Sequence, residues 1–351
     1  MGIPGPNDFA VGRWWGNVGR RGCPVNDLHG ARVLITGGAG FVGSHIADQL
    51  IVREGVGEVV LLDNLLRGSV RNVQDALGSG RARLVEGDIR DRALVDRLVG
   101  GCDYCFHMAA LRITRCAENP REALEVMYDG TFNVLQACAK HQVKKLVAAS
   151  SASVLGTADV FPTPESHPPY NNRTLYGAAK AANEHMYRAF NDMYGLRYCA
   201  HRFFNVYGPR MDTEGKYTEV LVRWYRLLKA NEPPLVFGAG DQTMDFVYVE
   251  DVARACVLSA KADVSDEVFN VASGRETSLL QLCEALLAAM SSSQRPRHLP
   301  LPAERKAVEV RRRLADTSKA RRLIGFEAGV PLEEGLRRLV RWLDENIGTV
   351  H

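Results

Sequence analysis

Tyr176 and Lys180 stand four residues apart in the string Tyr-Gly-Ala-Ala-Lys. On a helix that spacing places both side chains on one face, so a phenol and an ammonium can converge on one point. A free phenol titrates near ~10, and a cation beside it favours phenolate, which brings proton transfer within reach of neutral pH. The pair therefore reads as an acid-base tyrosine with a lysine that tunes it. Spacing alone is weak support, because a packed ring and a solvated charge give the same pattern.

The elements upstream strengthen it. Ala31-Arg-Val-Leu-Ile-Thr36 is a short, β-branched apolar run that stops at Gly37-Gly-Ala-Gly-Phe-Val-Gly43, and Ser44 to Val52 then shows helical periodicity. A buried parallel strand, a glycine turn and a helix follow from that order. Glycine lets backbone amides approach a pyrophosphate, and the helix start supplies partial positive charge there. Gly37, Gly40 and Gly43 carry this role. The next apolar run, Val59 to Leu62, ends in Asp63, whose carboxylate suits the ribose hydroxyls of NAD and repels a 2′-phosphate. Arg67 nearby leaves some room for NADP.

Lys144 to Ser150 is a further apolar strand, and its polar end falls where open parallel sheets bind ligands, which makes Ser151 and Ser153 candidates for substrate contact. His107 follows the apolar run Cys102 to Phe106 and reads as a satisfied core histidine, since a tyrosine already fills the role of base. Strand and helix patterns alternate: strands near 31, 59, 82, 103, 145 and 198, helices near 44, 70, 91, 119–140 and 176–193. The expected fold is α/β, a doubly wound parallel sheet (Rossmann) with a second, smaller mixed α/β lobe. The smaller lobe is expected from a helix near 218–230, a short strand 235–237, and helices near 278–290, 317–323 and 332–345.

Together these residues resemble the extended short-chain dehydrogenase/reductase superfamily, in particular its NAD-dependent nucleotide-sugar epimerase/dehydratase branch, the UDP-glucose 4-epimerase-like proteins. The likeness covers about residues 31–346. It rests on Thr36–Gly43, Gly87-Asp-Ile89, His107-Met-Ala-Ala110, Ser150–Val154, Tyr176 with Lys180, Arg202–Arg210 and Asp245–Asp251. The resemblance implies NAD as cofactor, held by Gly37, Gly40, Phe41, Val42, Gly43, Asp63, Asn64, Asp88, Ile89, Ala109, Ala110, Tyr176 and Lys180. It implies Tyr176, Lys180 and Ser151 as the catalytic set, with Ser151, Ser153, Asn205 and Arg305 touching a nucleotide sugar. The NAD-binding lobe would span 30–207 plus about 244–272, and the sugar-binding lobe about 208–243 plus 273–346. A homodimer through the helix carrying Tyr176 is the family expectation.

The implied reaction is epimerisation at carbon 4 of a UDP-hexose or UDP-N-acetylhexosamine through a transient 4-keto sugar. A keto-sugar reductase or a UDP-uronate decarboxylase of the same family is the alternative, and a non-enzymatic dinucleotide sensor fits less well because tyrosine and lysine are both kept. A 4,6-dehydratase would carry Asp-Glu where Ala152 and Ser153 stand. Three departures bear on substrate: Met244 where an arginine for the diphosphate is usual, Met127 for an asparagine, and Leu155 for a tyrosine. Arg305, Lys306 or Arg223 could stand in for the first. Arg313 falls near a position that gates sugar size, where a long cation is unusual.

Composition agrees with a cytoplasmic enzyme of two lobes. The chain has 351 residues and a formal charge of +3, with no basic stripe interleaved with aromatics, so nucleic acid is not an expected partner. The eight cysteines show no metal-ligand spacing, and no metal is expected. No apolar stretch reaches the ~20 residues of a membrane span. Residues 1–29, with six glycines and three prolines, read as a flexible leader.

Overall fold

The computed structural model describes residues 27–214, 219–300 and 311–347. Nearly all of the leader, and Arg305 with Lys306, lie outside the described residues. The first six strands are Arg32–Thr36 (β1), Glu58–Asp63 (β2), Ala82–Glu86 (β3), Tyr104–His107 (β4), Lys145–Ser151 (β5) and Tyr198–Phe203 (β6). Six more follow: Asn205–Tyr207 (β7), Leu235–Phe237 (β8), Thr243–Tyr248 (β9), Glu267–Val271 (β10), Glu276–Ser278 (β11) and Arg297–Leu299 (β12). The helices are Phe41–Arg53 (α1), Gln74–Gly78 (α2), Arg92–Val99 (α3), Ile113–Glu118 (α4), Pro120–Leu124 (α5), Thr131–Lys140 (α6), Leu175–Tyr194 (α7), Val220–Lys229 (α8), Val249–Lys261 (α9) and Leu279–Ala289 (α10). Ser318–Ile324 and Leu332–Asn346 close the series.

Seven strands form one sheet in the order β10-β6-β5-β4-β1-β2-β3, and every pairing is parallel. Its middle strands are apolar on both faces because helices cover both: Val33, Leu34 and Ile35 are fully buried. Helices α3, α6 and α7 pack one face and α1, α2 and α9 the other. The chain winds outward from β1 to β3, then returns to β4 on the opposite side of β1. Open parallel sheets bind ligands at that reversal, outside the carboxyl ends of the strands. Thr36, Asp63, His107 and Ser151 all stand at those ends.

A second core joins α8, α10 and Leu332–Asn346, with the sheets β11-β9-β7 and β12-β8. Leu336, Leu339, Val340 and Leu343 supply the buried stripe of the last helix, at the three- and four-residue spacing a single apolar face requires. Two expectations shift. The stretch 244–248 does not join the large sheet: β9 pairs with β7 and β11, and only α9 and β10 return to the first core. The fully buried Asp245 explains this, since its carboxylate accepts from the Ser273, Gly274 and Ala315 backbone amides and so ties β9 to distant loops. The helix expected over 119–140 is broken by a π turn at Glu125–Gly130. That turn brings Gly130 against Ile89, so closely that a Cβ on the glycine would stand 2.7 Å from the isoleucine side chain.

Candidate active site

The reversal of the sheet opens into a cleft of about 450 Å³. Its floor is the turn between β1 and α1. Gly37 has φ +66 and packs under the Ala109 backbone, where a Cβ would stand 2.8 Å from the amide nitrogen. Helix α1 starts at Gly40 without a side-chain cap and with no acidic residue in its first turn, so its amide dipoles face the cleft uncompensated. Gly40, Phe41, Val42 and Gly43 line the cleft beside Gly37.

Asp63 closes one end. Its carboxylate accepts from the Ala39 amide at 3.0 Å and the Leu65 amide at 2.9 Å, and burial nevertheless pushes its pKa up. Asn64 donates to Asp88 at 2.9 Å. Desolvation opposes the Asp88 charge, but hydrogen bonds from Arg90 and Asn64 outweigh it and hold this carboxyl down at about 2. Ile89, Ala109 and Ala110 line the wall between these carboxylates and the tyrosine. Arg67 pairs with Asp212 at 3.2 Å, so its guanidinium is occupied across the cleft rather than at the ribose end. These residues fit a dinucleotide with a free ribose diol: an amide-rich helix start for the pyrophosphate and a carboxylate for the hydroxyls.

Helix α7 brings the chemistry. Thr174 caps it by accepting from the Gly177 amide at 3.1 Å, and Gly177 lets its first turn lie against the loop after β5. A Cβ on Gly177 would stand 2.7 Å from the Ser153 carbonyl oxygen, so a larger residue would push Tyr176 away. Lys180 is buried and donates to the Ala149 carbonyl at 2.6 Å, with its Nζ 6.0 Å from the Tyr176 ring centre. Ser151, at the end of β5, lies beside the Tyr176 hydroxyl, close enough to lower its pKa, and its own hydroxyl accepts from the Ser153 amide at 3.1 Å. Tyr176, Lys180 and Ser153 all face the cleft.

The electrostatics differ from the expectation that lysine alone would lower the phenol. Burial dominates and raises Tyr176, with the Ser151 hydroxyl and the charges of Arg67 and Arg313 opposing it. Burial also lowers Lys180 to about 8. Both groups therefore shift toward their neutral forms, which brings the lysine near working pH and leaves the phenol needing further positive charge. His107 is structural, as its place in the sequence suggests: Thr36 and Thr131 hydroxyls bond its two ring nitrogens at 2.7 and 3.1 Å, and burial lowers it to about 3.

Not every candidate reaches the cleft wall. Asn205 donates to the Asp245 carbonyl at 3.2 Å, on the small sheet. Arg305 lies outside the described residues, and Arg223 sits on the exposed side of α8. Met127 is buried, its sulfur accepting from the Leu111 amide at 3.3 Å, and Leu155 is buried beside Phe204 and Ala315. Sequence reading missed the ion-pair chain that Arg112, Asp212 and Glu219 form in the cleft lining: Arg112 reaches Asp212 at 3.2 Å and Glu219 at 3.0 Å. Nothing in local spacing joins those three. It also missed Ser150 and Glu184, although Glu184 continues the four-residue spacing from Tyr176 and Lys180.

Residues 33–272 match the NAD dependent epimerase/dehydratase family. The chain belongs to that family. It takes NAD as cofactor, in keeping with the glycine turn and Asp63. A UDP-glucose 4-epimerase of Mycolicibacterium smegmatis is 34% identical, over 89% of this chain and 98% of that protein. A UDP-N-acetyl-alpha-D-glucosaminuronate decarboxylase of Bacillus cytotoxicus is 31% identical, over 90% and 98%. Among solved structures, the UDP-N-acetylglucosamine 4-epimerase of Methanobrevibacter ruminantium in complex with UDP-N-acetylmuramic acid superposes with TM-score 0.84 at 31% identity, covering 90% of this chain and 99% of that one. Among the described residues no helix is long and apolar enough to cross a membrane, and no group of three or more His, Cys, Asp and Glu side chains could hold a metal.

Proposed function

We propose that this enzyme inverts carbon 4 of a nucleotide sugar, a UDP-hexose or UDP-N-acetylhexosamine, through a transient 4-keto sugar. One observation carries the reading: Tyr176, with Ser151 beside its hydroxyl and buried Lys180 behind its ring, opens onto the cleft that the glycine turn and Asp63 line. NAD, which Gly37, Gly40, Gly43 and Asp63 would hold, would supply reversible hydride transfer at the reacting carbon. Tyr176 takes the proton of the 4-hydroxyl and gives it back to the ketone oxygen, and Ser151 hydrogen-bonds that oxygen. Lys180 would supply positive charge to the phenolate and help hold the nicotinamide ribose.

No net oxidation follows, so the cofactor is retained through turnover. The Arg67–Asp212–Arg112–Glu219 chain over the cleft suits retention. Dehydration is disfavoured by Ala152, which is buried, and Ser153, which stand where the dehydratases' acid pair would be. The large sheet with α9 forms the NAD lobe, and the core of α8, α10 and Leu332–Asn346 forms the sugar lobe. The exposed Phe132 of α6 and Met193 and Tyr194 of α7 suit a homodimer seam.

A second reading, an acidic sugar handled by a uronate decarboxylase of the same family, is favoured by Arg313. Its charge acts on Tyr176, burial lowers its pKa, and among the described residues no carboxylate pairs with it. The test is to purify the protein, measure bound NAD, and incubate it without added cofactor against UDP-, dTDP- and GDP-sugars, reading products by NMR. An equilibrating pair of 4-epimers without NADH release supports the first reading. Carbon dioxide release from a UDP-uronate replaces it with the second.

A further inference from the structure

Three consecutive residues at the end of β5 face successive turns of α7, and two of them are bonded to it. Lys180 donates to the Ala149 carbonyl, the Ser150 hydroxyl donates to Glu184 at 2.5 Å, and Ser151 lies beside Tyr176. The three helical residues are spaced by four, so they drift by only about 80° around the helix and form one stripe. Glu184 is buried, and Arg202 of β6 grips it with two hydrogen bonds, 2.9 Å to one oxygen and 2.7 Å to the other. Ser150 and Arg202 are register partners on β5 and β6, so the clamp joins a helix to two adjacent strands.

We infer that Glu184 is a positioning residue for the acid-base pair: through Ser150 it fixes the strand end that holds Ser151, and across one helical turn it is the anion that keeps Lys180 charged. The reasoning runs through the surroundings of Lys180. Cys116 of α4, His107 of β4, and Tyr176 and Glu184 of its own helix face it, and Arg202 stands behind Glu184. Burial works against the ammonium, and the Cys116 thiol and Glu184 oppose burial. Burial also raises the Cys116 thiol, so at neutral pH only Glu184 brings a full negative charge. A carboxylate survives in such a site when a cation and hydrogen bonds compensate it, and Arg202 with Ser150 supplies both.

This inference rests on the acid-base role given to Tyr176 above, and its test keeps the two separable. Lysine labelled with ¹⁵N is incorporated into the full chain with its bound NAD, and Lys180 is titrated by NMR in wild type, Glu184→Gln, Glu184→Asp and Ser150→Ala, with kcat and KM followed against pH. Glu184→Gln is expected to lower the Lys180 midpoint by a unit or more and to move the high-pH fall of kcat to lower pH by the same amount, leaving KM within twofold. Glu184→Asp keeps the charge but loses reach to Ser150, so the midpoint holds within half a unit while kcat falls at least tenfold; Ser150→Ala follows it. Removing one partner of a buried pair is strongly destabilising, so if the Gln variant does not fold, the Asp and Ala variants decide. Midpoints and pH profiles that overlay wild type, with only the melting temperature changed, overturn the inference. A Lys180 shift in a protein inert on every nucleotide sugar upholds the clamp and overturns the proposed reaction.

Discussion

The α-carbon of Gly43 faces the carbonyl of Gly37 so closely that a Cβ would stand 2.2 Å from the oxygen. The two glycines are the floor of the cleft: a side chain on Gly43 would displace Gly37, and one on Gly37 would displace the Ala109 backbone. Gly43→Ala therefore forces the turn away from its pyrophosphate-binding shape, at an overpacking cost of about 1–3 kcal/mol. NAD affinity is expected to fall at least tenfold while the melting profile stays cooperative. Calorimetric titration giving a wild-type Kd would refute the close packing.

Tyr176→Phe removes the hydroxyl and keeps the ring. General acid-base groups contribute roughly 10²–10⁴-fold, so kcat should drop by that range with NAD binding unchanged. Lys180 loses its proton near 8, which leaves the phenolate without that cation, so wild-type kcat should fall as pH rises past this point. A flat profile from 7 to 9 in a stopped-flow assay would separate Lys180 from the chemistry.

Asp212 joins Arg67 and Arg112 across the cleft. Partly exposed ion pairs are worth about 0.2–1 kcal/mol each, so losing both in Asp212→Asn should speed NAD dissociation by up to about thirtyfold, and raised salt should narrow the gap from wild type. An off-rate equal to wild type at low salt would show that the chain does not retain the cofactor.

Three buried histidines are held neutral: His45 at about 4, and His107 and His201 at about 3, all chiefly by burial. Their folded pKa values lie below the ordinary 6.5, so the unfolded chain binds more protons as pH falls from 6.5 toward 4, and stability falls with it. Each contributes up to about 1.4 kcal/mol per pH unit there. Asp245, raised by burial to about 6, works the other way, losing stability as pH rises from the ordinary carboxylate range to 6. Burial raises Asp48, Asp63 and Glu165 as well, though by less, so between pH 7 and 5 the three histidines dominate and leave net acid destabilisation. Urea titrations at pH 7, 6 and 5 should show it, and a constant midpoint would mean that the histidines protonate without unfolding.

Arg313 tests the sugar. Its neighbour Arg312 turns outward, pairing with Glu276 at 2.6 Å and stacking on Phe161, and alternation along the extended segment sends Arg313 the other way, toward the tyrosine. Arg313→Ser should weaken an acidic nucleotide sugar by tenfold or more in KM and leave a neutral one within threefold. Equal losses on both would place Arg313 at the diphosphate instead.

By itself the sequence determined the fold class, the glycine turn of an NAD protein and the shared helical face of Tyr176 and Lys180, because each is written in short-range spacing. Val33 to Ile35 before Gly37 can only be a buried strand meeting a turn, and Tyr176 with Lys180 shares a helical face in any fold that keeps α7. The same spacing rule reaches Glu184, yet only the tertiary structure shows its partners, since Ser150 lies 34 residues away in sequence and Arg202 18. The phenol was misjudged for a related reason: lysine proximity can be read from spacing, whereas desolvation depends on everything packed around Tyr176. The placement of β9 in the small sheet and the Arg67–Asp212–Arg112–Glu219 chain are likewise decisions of the folded molecule. They depend on which distant carboxylates and amides meet once the two cores close, and the backbone of one segment holds no record of that encounter.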